Sequence, residues 1–176
     1  MKRVLALTVA VLFLAAFTAA LYAATDKEPS KDAKFMQKAA VGGMFEVEAG
    51  KIAAQKGMSD EVKVFGQRMV DDHTKAGNEL AQLAESKGVK LPGTLGRKDK
   101  EQIEKLNKMK PADFDRQYID MMVKDHKEDV KEFAAEAKNG KDDDVKAFAA
   151  KTLPTLREHL KMAQDIAGKM GGKTGK

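Results

Sequence analysis

Hydrophobic residues recur at intervals of three and four in four long stretches of the chain, with polar residues between them. The stretches are residues 34–57, 59–87, 111–138 and 142–167. Intervals of three and four place side chains on one face of an α-helix, whereas a half-buried strand alternates at every second residue. No stretch after residue 24 shows the strand pattern. The sequence therefore predicts an all-α protein with four amphipathic helices.

The segments between these stretches predict how the helices are arranged. Gly57 and Asn139-Gly140 mark two short turns, and short turns join antiparallel helices. A longer connection, residues 89–110, separates the second helix from the third and contains a short amphipathic stretch at 99–109. We expect this connection to run the length of the bundle or to cap one end. The predicted fold is an up-down-up-down four-helix bundle with a long connection between helices 2 and 3.

The N-terminus has the pattern of a secretory signal peptide. Met1-Lys2-Arg3 precedes an uncharged run, Val4 to Thr25, that ends in small residues. An uncleaved anchor is the alternative, because a membrane-spanning helix needs ~20 apolar residues. The polar, proline-containing segment that follows favours cleavage. We therefore expect a periplasmic or secreted bacterial protein with a signal peptide (1–24), a flexible linker (25–33), a four-helix bundle (34–167) and a disordered basic tail (168–176).

Charge and composition exclude several classes of function. The formal net charge is +5, and the chain without its first 24 residues has 30 basic and 27 acidic side chains. The two signs are interleaved, which is typical of a solvated surface rather than a nucleic-acid interface. The absence of cysteine excludes disulfides and thiolate metal sites. After signal cleavage no segment would insert into a membrane, so a metal ion or a protein partner remains.

The candidate chemistry lies in the three histidines, each of which follows an acidic residue. The pairs are Asp72-His73, Asp125-His126 and Glu158-His159. Each histidine falls on the inward face of a separate predicted helix, and Glu46 falls on the inward face of the remaining one. At 1.5 Å per residue, the heights of neighbouring groups along the bundle agree to within about 5–7 Å. The sequence therefore predicts that Glu46, His73, His126 and His159 meet inside the bundle.

Two interpretations of this polar centre remain open at the level of the sequence. Three imidazoles and a carboxylate suit one transition-metal ion (Zn, Cu, Fe or Mn), with Asp72, Asp125 and Glu158 as outer partners of the ligands. Alternatively, the same groups form a hydrogen-bonded polar plug, with water filling any gap. The methionines are more typical of core filling than of copper ligation. No residue is assigned a catalytic role.

Three segments resemble a known bacterial family. They are Phe35-x-x-x-Ala39-Ala40-x-Gly42-Gly43-Met44-x-Glu46-Val47-Glu48-x-Gly50, Met69-Val70-Asp71-Asp72-His73-Thr74-Lys75-Ala76 and Thr152-Leu153-Pro154-Thr155-Leu156-x-x-His159-Leu160. They closely resemble the secreted family called domain of unknown function 4142, and the resemblance extends over residues 32–166. It implies a ferritin-like four-helix bundle in the bacterial envelope, where members are often labelled outer-membrane proteins. It implies no established activity.

The chain departs from the ferritin-like di-iron proteins in one respect. Those proteins carry Glu-x-x-His on two helices, whereas here the residues three before the histidines are Val70, Val123 and Leu156. A metal site would therefore be mononuclear or differently built. The predicted function is a non-enzymatic binding protein of the envelope. The alternatives are a metal-dependent oxidoreductase that uses the same centre and a purely structural, partner-binding bundle.

Overall fold

Five helices make up most of the part of the chain that the computed structural model describes, residues 28–172. They are α1 (Lys31–Lys56), α2 (Asp60–Ser86), α3 (Arg97–Lys108), α4 (Pro111–Asn139) and α5 (Asp143–Gly172). No strand occurs among these residues, so the predicted all-helical class is confirmed. The predicted signal peptide (1–24) lies outside the described residues. None of the described helices is both long enough and apolar enough to span a bilayer.

Local capping interactions explain where the long helices begin. The Ser59 hydroxyl accepts a hydrogen bond from the Val62 amide at 3.2 Å and caps α2. Pro111 begins α4, where its missing N–H leaves no hydrogen bond unmade. At the start of α5, the Asp142 carboxylate accepts from the amides of Asp144 and Val145. These starts agree with the sequence pattern to within about one residue, the usual uncertainty of helix boundaries.

Two helix ends extend beyond the predicted bounds of the bundle. α1 begins at Lys31, inside the predicted linker, and the Asp32 carboxylate accepts from the backbone amides of Lys141 and Asp142 at 2.7–3.2 Å. α5 continues to Gly172, so residues 168–172 are helical where disorder was predicted. The rest of the predicted tail, 173–176, lies outside the described residues. The local sequence did not predict the contacts that these helix ends make with the rest of the bundle.

The four long helices pack in a ring. α1 packs against α2 and α4 packs against α5, while α2 also contacts α5 and α1 also contacts α4. The short helix α3 lies against α1 and α4. Each long helix therefore has two long neighbours and directs one face towards a shared interior.

The order of helix directions differs from the predicted up-down-up-down arrangement. Asp115, near the start of α4, accepts hydrogen bonds at 2.9 Å from the amides of Met58 and Ser59, just before α2. Lys169, near the end of α5, pairs with Glu61 at the start of α2 at 2.5 Å. Hence α2 and α4 start at the same end of the bundle, and the direction in chain order is up-down-down-up. The prediction was wrong because the connection containing α3 returns the chain to that end.

Two glycines set the closest approach of α1 and α2. A Cβ atom added to Gly50 would lie 2.7 Å from the Gly66 carbonyl oxygen, and one added to Gly66 would lie 2.8 Å from the Gly50 carbonyl oxygen. Contacts this short leave no room for a methyl group. The backbones of the two helices therefore touch at this point because both residues lack a side chain.

The hydrophobic core consists of two clusters, one towards each end of the bundle. The first core cluster includes Phe45, Ala49, Val62, Phe65, Phe114, Tyr118, Met122, Ala163 and Ile166. The second core cluster includes Met36, Leu80, Ala84, Phe133, Val145, Phe148 and Leu156. Along every long helix, one buried ionisable residue lies at the boundary of these clusters. These residues are Glu46, His73, His126 and His159.

Substitution of Gly50 by alanine is expected to destabilise the protein by roughly 1–3 kcal/mol, the usual effect of overpacking. Gly42 in the same helix is a matched control, because a Cβ there would meet no atom within 4 Å. Gly42→Ala is expected to stabilise the protein by roughly 0.5–1 kcal/mol through helix propensity. Urea unfolding of both variants measures the difference. Equal effects of the two substitutions would contradict the close contact between α1 and α2.

Candidate metal centre

The structure brings the four predicted groups together in the interior. The centroids of the three imidazole rings lie 5.2–5.5 Å apart. One ring nitrogen from each of His73, His126 and His159 lies within 4.8 Å of the other two. His126 and His159 are fully buried, and Glu46 and His73 are nearly so. The inward positions inferred from helical spacing therefore share one level of the bundle.

Glu46 and His73 form a buried ion pair across α1 and α2. His73 Nδ1 lies 3.0 Å from Glu46 Oε2. Burial alone would raise the pKa of Glu46, but the nearby His73 and His126 outweigh it and lower that pKa to about 2. Burial opposes the charged form of His73, and the carboxylate of Glu46 nevertheless raises the His73 pKa. The opposite nitrogen, His73 Nε2, is buried and has no hydrogen-bond partner among the described residues.

His126 and His159 form a hydrogen-bonded chain that ends at two oxygen acceptors. His126 Nδ1 lies 3.1 Å from the Met122 carbonyl oxygen, and His126 Nε2 lies 3.3 Å from His159 Nδ1. His159 Nε2 lies 2.8 Å from Asp72 Oδ2. Burial lowers the pKa of His126, and burial lowers that of His159 to about 4. Both rings are therefore neutral imidazoles at neutral pH.

The hydrogen-bonded series of His126 and His159 lacks one proton. The outer nitrogens of His126 and His159 must each carry a proton, since a carbonyl and a carboxylate can only accept. Two neutral imidazoles then have lone pairs on the two nitrogens that face each other at 3.3 Å. With His73 donating to Glu46 from Nδ1, its Nε2 is the third nitrogen left without an acceptor. The site therefore presents two lone pairs that face each other with no proton between them, and a third ring nitrogen, His73 Nε2, that has no hydrogen-bond partner among the described residues.

The spacing of the His126 and His159 nitrogens matches that of two ligands on one metal ion. Two imidazole nitrogens at 2.0–2.1 Å from a tetrahedral ion lie about 3.3–3.4 Å apart. The observed His126–His159 separation of 3.3 Å has this value. Oxygen acceptors on the outer nitrogens are typical partners of metal-binding histidines, because they select the tautomer and hold the ring. The donor set therefore fits a mononuclear site.

The three acidic residues that precede the histidines have three different environments. Asp72 accepts from His159 on α5 rather than from its neighbour His73, and it also pairs with Arg68 at 3.1 Å. Glu158 is exposed and pairs with Arg68 at 2.7 Å, so it lies on the surface outside the centre. Asp125 is half-buried, and burial together with Glu46 raises its pKa to about 6. Of the predicted outer partners, the structure brings only Asp72 into hydrogen-bond contact with a histidine.

Asp129 belongs to the centre and was not predicted from the sequence. One of its carboxyl oxygens lies within 4.8 Å of ligand atoms of both Glu46 and His126. Burial, reinforced by Glu46, raises the Asp129 pKa to about 9. Glu46 Oε1 lies 3.3 Å from His126 Nδ1, whose proton goes to the Met122 carbonyl oxygen, so a protonated Asp129 supplies its donor. Asp129 follows His126 by three residues, and that spacing on one helix face was the available signal.

Three solved structures share the fold at low sequence identity. A fragment of a DUF305 protein from Deinococcus radiodurans aligns with a TM-score of 0.70 and 10% identity, over 82% of this chain and 99% of that chain. A DUF305 protein from Streptomyces coelicolor, assigned as secreted, aligns with a TM-score of 0.67 and 14% identity, over 81% and 94%. CopM in its Cu(I)-bound form aligns with a TM-score of 0.67 and 14% identity, over 81% and 99%.

A comparison with protein families gives the closer relationship. No curated protein matches the chain significantly. The family model described as "Domain of unknown function (DUF4142)" matches residues 18–166, which include all five helices except the end of α5. This range contains every residue of the candidate centre. The chain therefore belongs to the DUF4142 family.

Proposed function

We propose that this protein binds one transition-metal ion in its interior through His73, His126 and His159. A single observation carries the proposal: each imidazole commits one nitrogen to an oxygen acceptor, and one ring nitrogen of each histidine lies within 4.8 Å of the other two. Glu46, Met122 and Asp72 provide those acceptors. Three such commitments on three helices prepare the ligands before an ion arrives, which lowers the free-energy cost of binding.

In this proposal Glu46 is an outer partner of His73 rather than the metal ligand that the sequence predicted. Its carboxylate accepts from the outer nitrogen of His73, so it orients that ring and compensates the positive charge of the ion. Asp129 holds the second oxygen of Glu46 in place. The ion would thus have nitrogen ligands only, with carboxylates one contact further out.

The donor set narrows the choice of ion. Imidazole ligands without thiolates or directly bound carboxylates suit zinc and copper better than manganese. CopM has been described in a Cu(I)-bound form, which is a reason to test Cu(I) first. A buried ion without a catalytic residue beside it would serve storage, transfer or sequestration rather than turnover.

The ferritin-like arrangement of the helices and the location in the cell envelope are part of this proposal. One long crossover between paired antiparallel helices is the arrangement of ferritin-like bundles, which this chain would share without their Glu-x-x-His motif. The signal-like residues 1–24 direct the protein to the periplasm or cell exterior. An envelope protein there would meet metal ions before they reach the cytoplasm.

A structural role is the second candidate, and one observation favours it. The contacts of His73, His126 and His159 already connect all four long helices without an ion. Such a polar cluster could select one alignment of the helices, as buried polar groups do in some coiled coils. Metal binding distinguishes the two candidates.

Untagged protein is expected to bind one equivalent of Cu(I), under reducing and oxygen-free conditions, or of Zn(II). His73→Gln and His126→Gln are expected to weaken binding by more than about 100-fold, beyond the 10–100-fold typical of losing an outer partner. Glu158→Gln is the control, because that exposed carboxylate pairs with Arg68 on the surface, outside the centre. Competition with a chelator measures affinity, and circular dichroism checks folding. If neither metal binds at one equivalent, the metal proposal is wrong and the structural role remains.

Asp72→Asn is expected to weaken metal binding by about 10–100-fold, because the acceptor of the His159 proton becomes a weaker, neutral amide. Asp71→Asn is the matched control, since Asp71 is exposed and accepts a hydrogen bond from Gln67 at 2.9 Å. The same chelator competition measures both variants. An Asp72→Asn variant with unchanged affinity would show that this carboxylate does not orient His159.

Metal at a free concentration of 100 times its dissociation constant is expected to raise the free energy of unfolding by about 2.7 kcal/mol. Thermal unfolding with and without chelator measures this stabilisation. The His126→Gln variant is expected to show at most about 0.4 kcal/mol of it at the same metal concentration. An equal rise in the variant would place the stabilising ion elsewhere on the protein.

A further inference from the structure

A cavity of about 590 Å³ lies between α1 and α2. Its lining residues run from Ala39 to Glu48 along α1 and from His73 to Ala81 along α2. At 1.5 Å per residue, these two stretches of helix are about 12–14 Å long. The volume falls within the range of small-molecule pockets, about 300–1,000 Å³. The cavity is therefore elongated and large enough for a chain-like ligand.

Small residues on the two helices create this space. Ala40 and Gly43 on α1 line the cavity, as do Gly77 and Ala81 on α2. A Cβ atom added to Gly43 or to Gly77 would meet nothing within 4 Å. Tight packing would fill such a gap, so the two helices leave an open volume here although their backbones touch at Gly50.

The buried lining of the cavity offers apolar surface and no free counter-charge. Its apolar side chains come from α2, α4 and α5 and include Leu80, Phe133, Phe148 and Leu156. Glu46, His73 and Asp129 also reach the lining, but they bond to one another as part of the metal centre. The Thr152 hydroxyl donates to the Phe148 carbonyl oxygen at 2.9 Å. Because an unpaired charge in a protein interior is strongly unfavourable, this lining favours an uncharged ligand.

Part of the connection between α2 and α3, residues 91–95 (the strap), covers the cavity. Leu91, Pro92, Gly93 and Leu95 of the strap line it. No backbone–backbone hydrogen bond joins the strap to the rest of residues 28–172. The strap is held by side chains instead, since Leu91 packs on the second core cluster and Leu95 on the first. A segment attached in this way opens at low cost, which gives a ligand access to the cavity.

We propose that the cavity binds an uncharged molecule with one extended alkyl chain, such as a fatty alcohol. The chain lies along α1 and α2 against Leu80 and Phe133. Its polar end lies at the rim, where Thr74 and Asn78 are exposed. A hydroxyl and an amide side chain both donate and accept hydrogen bonds, so they match an alcohol. The proposal goes beyond metal binding, because the chain contacts need no ion in place.

Calorimetric titration of hexanol, octanol and decanol into metal-free protein, with chelator present, tests the chain. Each alcohol is expected to bind with 1:1 stoichiometry. Affinity is expected to rise about fourfold for each added methylene group, which corresponds to about 0.8 kcal/mol. Absence of saturable octanol binding at millimolar concentration would overturn the site. Affinities that do not depend on chain length would overturn the assignment of an alkyl chain.

Cyclooctanol is the control for shape, because it has the carbon number of octanol in a compact ring. It is expected to bind at least tenfold more weakly than octanol, since a ring cannot extend along the two helices. Equal affinities of the two alcohols would overturn the extended conformation of the bound chain.

Octylammonium and octanoate test the absence of charge. Neither is expected to bind more tightly than octanol, because Glu48 at the rim already pairs with Lys51 at 2.7 Å and the buried lining has no free counter-charge. A tenfold gain in affinity with either charged probe would overturn the assignment to an uncharged ligand.

Leucine substitutions on the two helices test the location. Gly43→Leu and Gly77→Leu each place a side chain in the cavity and are expected to weaken octanol binding at least tenfold. Gly42→Leu is the matched control, because Gly42 does not line the cavity and a Cβ there meets nothing within 4 Å. Circular dichroism checks the fold of all three variants. Unchanged octanol binding in folded Gly43→Leu and Gly77→Leu proteins would overturn the location.

Hydrogen exchange on the unmodified protein provides a second measurement of location. Saturating octanol is expected to slow exchange of the Gly93, Thr94 and Leu95 amides at least threefold, because a filled cavity adds contacts beneath the strap. Unchanged exchange of these amides would show that the strap does not cover the ligand.

His126→Gln separates this proposal from the metal site, because neither His126 nor His159 lines the cavity. This variant is expected to lose metal and to bind octanol as the unmodified protein does. Loss of octanol binding in a folded His126→Gln protein would contradict the independence of the cavity. Octanol binding by a protein that binds no metal would support the cavity and overturn only the metal proposal.

Discussion

The burial of one ionisable group from each long helix at a single level is the constraint on which the rest of the structure depends. An isolated charge in a protein interior is strongly unfavourable, so buried ionisable groups must pair or become neutral. Glu46 pairs with His73, while His126 and His159 remain neutral and bond to oxygen acceptors. These contacts join all four helices, and each helix can satisfy its polar group only when the others are aligned with it.

This polar layer also organises the hydrophobic core and the space beside it. One core cluster lies on each side of the layer, so a shift of any helix by one turn would place an imidazole or a carboxylate among apolar side chains. α1 and α2 touch at Gly50 and Gly66 on one side of the layer, and small residues leave the cavity open on the other.

Membership in the DUF4142 family and the fold shared with DUF305 proteins and CopM carry no activity to this chain by themselves. A fold hosts many unrelated functions, and the argument for function must come from the site. Here the three oxygen acceptors on the outer nitrogens leave three inner nitrogens for the proposed ion. Nothing comparable was available from the family resemblance, which implied the bundle and its envelope location only.

The amino-acid pattern by itself determined the helices, their caps and the inward faces that bring Glu46, His73, His126 and His159 to one level, because helical periodicity and capping act over only a few residues. Tertiary structure alone decided the direction of α4, since a connection of more than 20 residues can return the chain to either end. Tertiary structure also decided that Asp72 accepts a hydrogen bond from His159, that Glu158 lies on the surface and that Asp129 donates to Glu46. Those contacts depend on how helices rotate and tilt against one another, and that information is distributed over the whole core.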